Sequence, residues 1–387
     1  MSAGIYLDYA ATSAIRPPEV IEAVARYLDE IGATPGRAGH SRSLAAGRIA
    51  LRCRQLLSRI IGHEGDPGRV TFQLNATHAL NVAIAGTLRP GDRVVRTTWD
   101  HNAVRRPIAA LGRLGIAETL FQSGPDGTDL AGLGELISGG GAAARLLVLP
   151  HASNVTGAVL PVRDIVAIAR EYGTLVLLDA AQTVGHYPVD VDELGVDLLA
   201  FSGHKGLAGP QGTGGLWVRE GVEVAPLLSG GTGGDSSPLD MPGAYPDHLE
   251  AGTQNAPGIA GLAAAAEWVL SQGVAGRQAK EQDLKEALVA GLRGLEKVRI
   301  LSAQSGPAVG IVTILHDEME PGELAVWLER EHGIQTRAGL HCAPGAHEAL
   351  GTLRTGALRL SVGWATTHEE IERTLDAFRR LEQGWGA

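Results

Sequence analysis

An α/β chain built on a largely parallel sheet, with helices on both faces, is the fold class this sequence predicts. Three observations carry that prediction. From about residue 17 to 220, helical segments with 3.6-residue apolar spacing alternate with short runs rich in Val, Ile and Leu. Such alternation belongs to parallel strands joined by crossover helices, a sheet covered on both sides. Small polar residues follow the ends of several runs, and sheets of this kind bind ligands at the carboxyl ends of their strands.

The elements follow in order. Pro17-Pro18 opens a first helix in which Val20, Ile21, Val24, Leu28 and Ile31 are expected to share a face. Cys53 falls in a helical run over 45–61, where a small buried side chain is its simplest role. Seven strands are expected at 69–73, 93–97, 117–121, 145–149, 174–178, 198–201 and 215–218. A Gly/Ser/Pro-rich stretch, 229–257, then breaks the rhythm. Two long helices follow near 258–272 and 277–295, and the remainder reads strand, strand, helix, loop, strand, helix. These features divide the chain into a large domain, 17–257, with a mostly parallel seven-stranded sheet, and a smaller α+β domain formed by 1–16 and 258–387.

Bulk properties exclude several classes. A net charge of −10 argues against a general nucleic-acid binder. Two cysteines, Cys53 and Cys342, cannot build a disulfide scaffold, and a reducing cytoplasmic location is the simplest expectation. The start, Met1 to Asp8, lacks a basic segment followed by a long apolar one, so no secretion signal is expected. The apolar stretch 258–270 is short and interrupted by Glu267, which favours a packed helix over a membrane span.

The chemistry concentrates after the strands. Ala200-Phe201-Ser202-Gly203-His204-Lys205-Gly206 is an apolar run ending in a turn and a lysine. Upstream, 174–178 runs into Asp179-Ala180-Ala181-Gln182. A lysine in a pocket can lose its proton and form an imine, and a buried carboxylate needs a cation beside it. Together they suit pyridoxal 5′-phosphate (PLP): Lys205 holds the aldehyde and Asp179 the ring nitrogen. Asn75-Ala76-Thr77 opens a helix after a strand and so can cradle a phosphate, with Ser202 and His204 within reach of the same group. His101 can stack on the ring, and Gln182 and Asn154 can contact its oxygen. Cys342 lies in a Gly/Pro-marked loop beside His341 and near Arg337, a setting for an exposed, partly ionised thiol. Arg359 sits mid-strand, either gripping a substrate carboxylate or held in a structural ion pair.

With these motifs assembled, the chain resembles fold type I PLP enzymes of the class V aminotransferase group, specifically cysteine desulfurases. The resemblance runs from Tyr6-Leu7-Asp8-Tyr9-Ala10-Ala11-Thr12 through Gly36-Arg37-Ala38-Gly39-His40 and Ser202-Gly203-His204-Lys205 to Arg337-Ala338-Gly339-Leu340-His341-Cys342-Ala343-Pro344. It implies that Lys205 carries the cofactor, Asp179 pairs with the pyridinium, Gln182 and Asn154 face the ring oxygen, and Ala76, Thr77, Ser202 and His204 bind phosphate. It further implies a homodimer in which Gly252 and Thr253 complete the neighbouring phosphate site. Cys342 would accept sulfur from L-cysteine as a persulfide, leaving L-alanine. Arg359, with Arg337 and Asn154, would hold the substrate. A protein acceptor would then carry the sulfur toward iron–sulfur clusters, thionucleosides, thiamine or molybdopterin. The short loop with an adjacent histidine looks like the group II branch. His78 and Ala338 depart from residues frequent in relatives, without removing a catalytic atom. The alternative on the same fold is a selenocysteine lyase or another class V PLP enzyme in which Cys342 is incidental. No metal, nucleic acid or membrane is expected.

Overall fold

The computed structural model describes residues 4–36, 39–124, 128–234, 237–303 and 305–384. Met1 to Ala3, and Arg37 and Ala38 of the glycine-flanked motif, lie outside the described residues.

The chain begins with β1 (Ile5–Tyr6), α1 (Pro18–Arg26) and α2 (Ser41–Ile60). It continues through β2 (Val70–Gln73), α3 (Ala76–Thr87), β3 (Arg93–Thr97), α4 (Asn102–Gly112), β4 (Ala117–Phe121), α5 (Leu133–Ser138) and β5 (Leu146–Pro150). Then come α6 (Val162–Glu171), β6 (Leu175–Asp179), α7 (Val191–Leu194), β7 (Leu198–Ser202) and β8 (Gly214–Val218). The seven expected strands, β2 to β8, form one sheet in the order β2-β8-β7-β6-β5-β3-β4. All neighbours from β4 to β7 run parallel, and β8 runs antiparallel to both β7 and β2.

The strands read as continuous apolar runs because both faces are covered. In β5, Leu146 and Val148 join the core under α3 and α4, while Leu147 and Leu149 join the opposite core under α2 and α6. Leu177 of β6 faces the first core, and Val176 and Leu178 face the second. This period-two division fixes the register, since a one-residue slip would exchange the two faces.

A second body follows α8 (Ala256–Gln272) and α9 (Val274–Arg293). It comprises β9 (Val298–Ile300), β10 (Ile311–His316), α10 (Pro321–His332), β11 (Ile334–Gln335), β12 (Arg337–Gly339), α11 (Pro344–Ala349), β13 (Ala357–Ser361) and α12 (His368–Glu382). Its four-stranded sheet has the order β12-β13-β10-β9, and β1 pairs with β11. The core joins Leu284, Leu288 and Leu292 of α9 to Val312, Ile314, Leu358 and Leu360, and to Phe378 of α12. The very short β11, β12 and α11 carry no periodic signal of their own in the sequence.

Two expectations are corrected by packing. The first-helix face is not the five-residue stripe expected. The inward line runs through buried Val20, half-buried Val24 and buried Tyr27, while Ile21 and Leu28 are each 62% exposed. A π-helical turn, Tyr27–Ile31, widens the coil there and ends at Gly32 with φ 56°. The second correction concerns α8, which packs on α1 and α2; Ile259, Leu262 and Ala266 belong to the large-sheet core. It therefore goes with the large sheet, although it lies beyond residue 257.

Candidate active site

The carboxyl ends of β2, β3, β5, β6 and β7 open into one cleft of about 890 Å³. Its walls carry Asn75, Ala76, Thr77, His101, Asn154, Asp179, Gln182, Ser202, His204, Lys205, Arg337, His341 and Arg359. Parallel strands in register bring this about. Asp179 is the last residue of β6 and pairs across to Ala200 of β7, and Lys205 follows three residues after the end of β7.

Burial pushes the Lys205 amine down from the usual lysine value to about 8, opposed by Asp179 and reinforced by Arg359 and Arg337. Burial raises the Asp179 carboxyl, while the Ala181 amide, donating at 3.0 Å, and Lys205 pull it back. A carboxylate and an amine are thus held out of water beside each other, a costly arrangement unless a further charged group shares the site. The turn after β7 is braced by the N-terminal segment. The Ser13 amide donates to the His204 carbonyl, and its hydroxyl donates to the Lys205 carbonyl, both at 2.8 Å.

At the phosphate end, Asn75 caps α3 by accepting from the His78 amide at 2.9 Å. The Ala76 amide donates to Ser202 Oγ at 3.0 Å, joining the two turns. Thr77 is exposed on the cleft wall. His204 Nδ1 lies 3.1 Å from Thr12 Oγ1, and burial lowers its pKa to about 4. His101 caps α4, its Nδ1 accepting from the Ala103 amide at 3.0 Å. Burial, and then the charge of Lys205, lower it to about 4, so it is neutral with its proton on Nε2. The Gln182 amide nitrogen donates to the Ala10 carbonyl at 3.0 Å.

Arg359, 1% exposed, projects from β13. It donates to Asp8 Oδ1 at 2.8 Å and to the Asn154 carbonyl at 3.0 Å. Arg337 stands opposite it on β12. Asp8 is the functional neighbour the residue-by-residue reading missed, because the two lie at opposite ends of the chain; its place in the Tyr6 to Thr12 motif was the available signal.

Cys342 is exposed, next to the cleft-lining His341, in a four-residue connection between β12 and α11. The expected help from His341 is corrected. Burial lowers that ring to about 3, and both its nitrogens are engaged elsewhere, by the Arg337 carbonyl and His347, so it offers the thiol no positive charge. Gly252 and Thr253 do not reach the cleft within this chain; they line a separate cavity with Phe72, Glu250 and Gln254.

The donor set fits PLP: a depressed lysine, a buried carboxylate, a helix N-terminus with Ser202 and His204 beside it, and a neutral imidazole on the wall.

The sequence matches the family described as aminotransferase class-V over residues 5–374. It is 32% identical over 377 residues to a protein of Methanothermobacter thermautotrophicus named a probable cysteine desulfurase, covering 95% of this chain and 92% of that one. Among solved structures it is similar to the apo form of a cysteine desulfurase from Thermococcus onnurineus, with a TM-score of 0.89, 29% identity and coverage of 99% and 95%. An Escherichia coli cysteine desulfurase in an S-sulfonic acid form superposes with a TM-score of 0.87 at 27% identity, covering 98% and 94%.

Proposed function

The chain belongs to the aminotransferase class-V family, and on that premise we propose that it is a PLP-dependent cysteine desulfurase. The observation that carries the reading is the union of Lys205, Asp179 and Arg359 in one cleft, with the exposed Cys342 next in sequence to the cleft-lining His341. Lys205 and Asp179 would hold the cofactor, with Ala76, Thr77, Ser202 and His204 at its phosphate and His101 over its ring. Once bound, PLP supplies an electron sink that weakens bonds at the substrate α-carbon.

The protein's own groups do the rest. Arg359 and Arg337 orient the carboxylate of L-cysteine, with Asn154 beside them. Lys205, whose pKa burial lowers to about 8 so that much of it is neutral at mildly alkaline pH, takes the proton from the substrate α-carbon. Cys342 Sγ then forms a bond to the substrate sulfur as the bond from that sulfur to Cβ breaks. A proton goes to Cβ, so one L-cysteine and one thiol become L-alanine and one persulfide. The exposed Cys342 leaves the persulfide open to a protein acceptor. The exposed thiol favours this reading over a selenocysteine lyase, which would leave such a group without a use. Both cysteines are free, as suits a reducing compartment, and we place the activity in the cytoplasm.

Thr253 and Gly252, outside the cleft of their own chain, are assigned to the phosphate site of the partner in a homodimer. The test is treatment of the purified protein with L-cysteine. Cys342→Ala should keep the cofactor absorbance but form no persulfide, and Lys205→Ala should lose both. Full sulfide release by Cys342→Ala would reject the thiolate role.

A further inference from the structure

His341 and Cys342 are adjacent non-glycine residues with φ of 50° and 57°. The Ala343 amide donates back to the Leu340 carbonyl at 2.9 Å, closing a tight turn around them. Left-handed backbone costs an L-residue about 1–2 kcal/mol, and Gly, Asn or Asp normally fill both central positions of such a turn. Strain of this kind lasts only where the surroundings over-determine it.

Part of the restraint comes from the backbone. Asn154 Nδ2 donates to the His341 carbonyl at 2.7 Å, and the Asn102 amide donates to the Cys342 carbonyl at 2.7 Å. The rest comes from a buried chain of side chains. His341 Nε2 lies 3.1 Å from the Arg337 carbonyl, which only accepts, so Nε2 carries the proton. In a neutral ring Nδ1 is then an acceptor, and His347 Nε2, 3.1 Å away, must be its donor. That leaves His347 Nδ1 to accept from the Thr352 hydroxyl at 2.8 Å. The two rings stack at 5.3 Å, and His347 and Thr352 are 0% and 1% exposed. Burial lowers His347 to about 4 and His341 to about 3, so both stay neutral at ordinary pH. Neither His347 nor Thr352 lines the cleft.

We infer that His347 and Thr352 are positioning residues for sulfur transfer: they fix the tautomer and orientation of His341 and thereby hold the Cys342 turn in its left-handed form. The inference rests on the reading of Cys342 as sulfur acceptor.

His347→Leu removes the donor, and His347→Gln keeps an N–H at the same reach. Thr352→Val removes only the hydroxyl, and so carries the test if His347→Leu does not fold. The expected result is a kcat for persulfide formation about tenfold lower in His347→Leu and Thr352→Val, or about 1.4 kcal/mol. KM for L-cysteine and the cofactor absorbance stay native, and His347→Gln recovers most of the loss. Nitrogen-15 spectra of labelled histidines report the tautomers independently of activity; both rings should carry the proton on Nε2. Native kcat in both His347→Leu and Thr352→Val, or a ring protonated on Nδ1, overturns the inference. A native protein that forms no persulfide on Cys342 overturns the underlying functional reading, while the tautomer pattern would still report on the chain of hydrogen bonds.

Discussion

Three non-glycine residues with positive φ occur among the described residues: Ala208, His341 and Cys342. Ala208, at φ 58°, closes the turn after Lys205, its amide donating to the Lys205 carbonyl at 2.8 Å. The strained positions thus include Cys342 itself and close the turn after Lys205, the two residues assigned to chemistry, which is where a fold accepts such cost. Because the neutral amine is the form that attacks an aldehyde, the lowered value of Lys205 predicts a pH dependence. The rate of PLP uptake by cofactor-free protein should rise with pH around a midpoint near 8, followed by stopped-flow absorbance. A midpoint near 10.5, the ordinary value for lysine, would contradict the burial argument. The Arg359–Asp8 pair yields a second prediction. Arg359→Ala leaves the half-buried Asp8 without its partner and should cost about 1–3 kcal/mol of stability in a melt. Arg359→Lys keeps the charge but loses the forked geometry, so it should raise KM for L-cysteine with the cofactor band intact. Unchanged KM would remove Arg359 from substrate binding.

At the scale of elements, the site is a consequence of where strands stop. The strand ends were readable because apolar runs give way to polar residues at Gln73, Asp179 and Ser202. Pairing over long distances was not readable. Nothing in the local pattern joins Asp8 to Arg359, or the turn after β7 to Arg277, which donates to the Gly185 and Gly206 carbonyls from α9. The His341–His347 contact has no sequence signal either, because α11 is too short to show a period. Gly345, at the start of α11, tests how that element anchors the cysteine turn. A Cβ there would sit 2.4 Å from the Thr98 carbonyl, just before His101. Since backbone cannot yield as a flexible side chain does, Gly345→Ala should shift α11 and the Cys342 turn. Persulfide formation should fall about tenfold or more, on the order of 1.4 kcal/mol, with PLP still bound. Native rates in a correctly folded variant would show that the anchor is unimportant.

For the whole molecule, the two sheets meet through the N-terminal segment. Asp8 contacts Arg359 of the small sheet, the Ala10 amide donates to Ser361 Oγ at 2.9 Å, and Ser13 holds the Lys205 turn. The fold class and all seven strands of the large sheet were legible in the sequence. The allegiance of α8 was not, because its alanine-rich surface carries no marker of which core it serves. A homodimer that shares phosphate sites predicts complementation. Mixed dimers of Lys205→Ala with Thr253→Ala protomers should regain one competent site, since the Lys205-bearing chain receives the partner subunit's Thr253. Recovery of cofactor loading on mixing, read by absorbance, is the expected result, and its absence would detach Thr253 from the phosphate. The most direct test of the central assignment is mass spectrometry of the PLP-loaded protein after a single turnover with L-cysteine. One added sulfur on Cys342 with an equal amount of L-alanine in solution is the outcome expected. Alanine released without sulfur on Cys342, or no alanine at all, would contradict it.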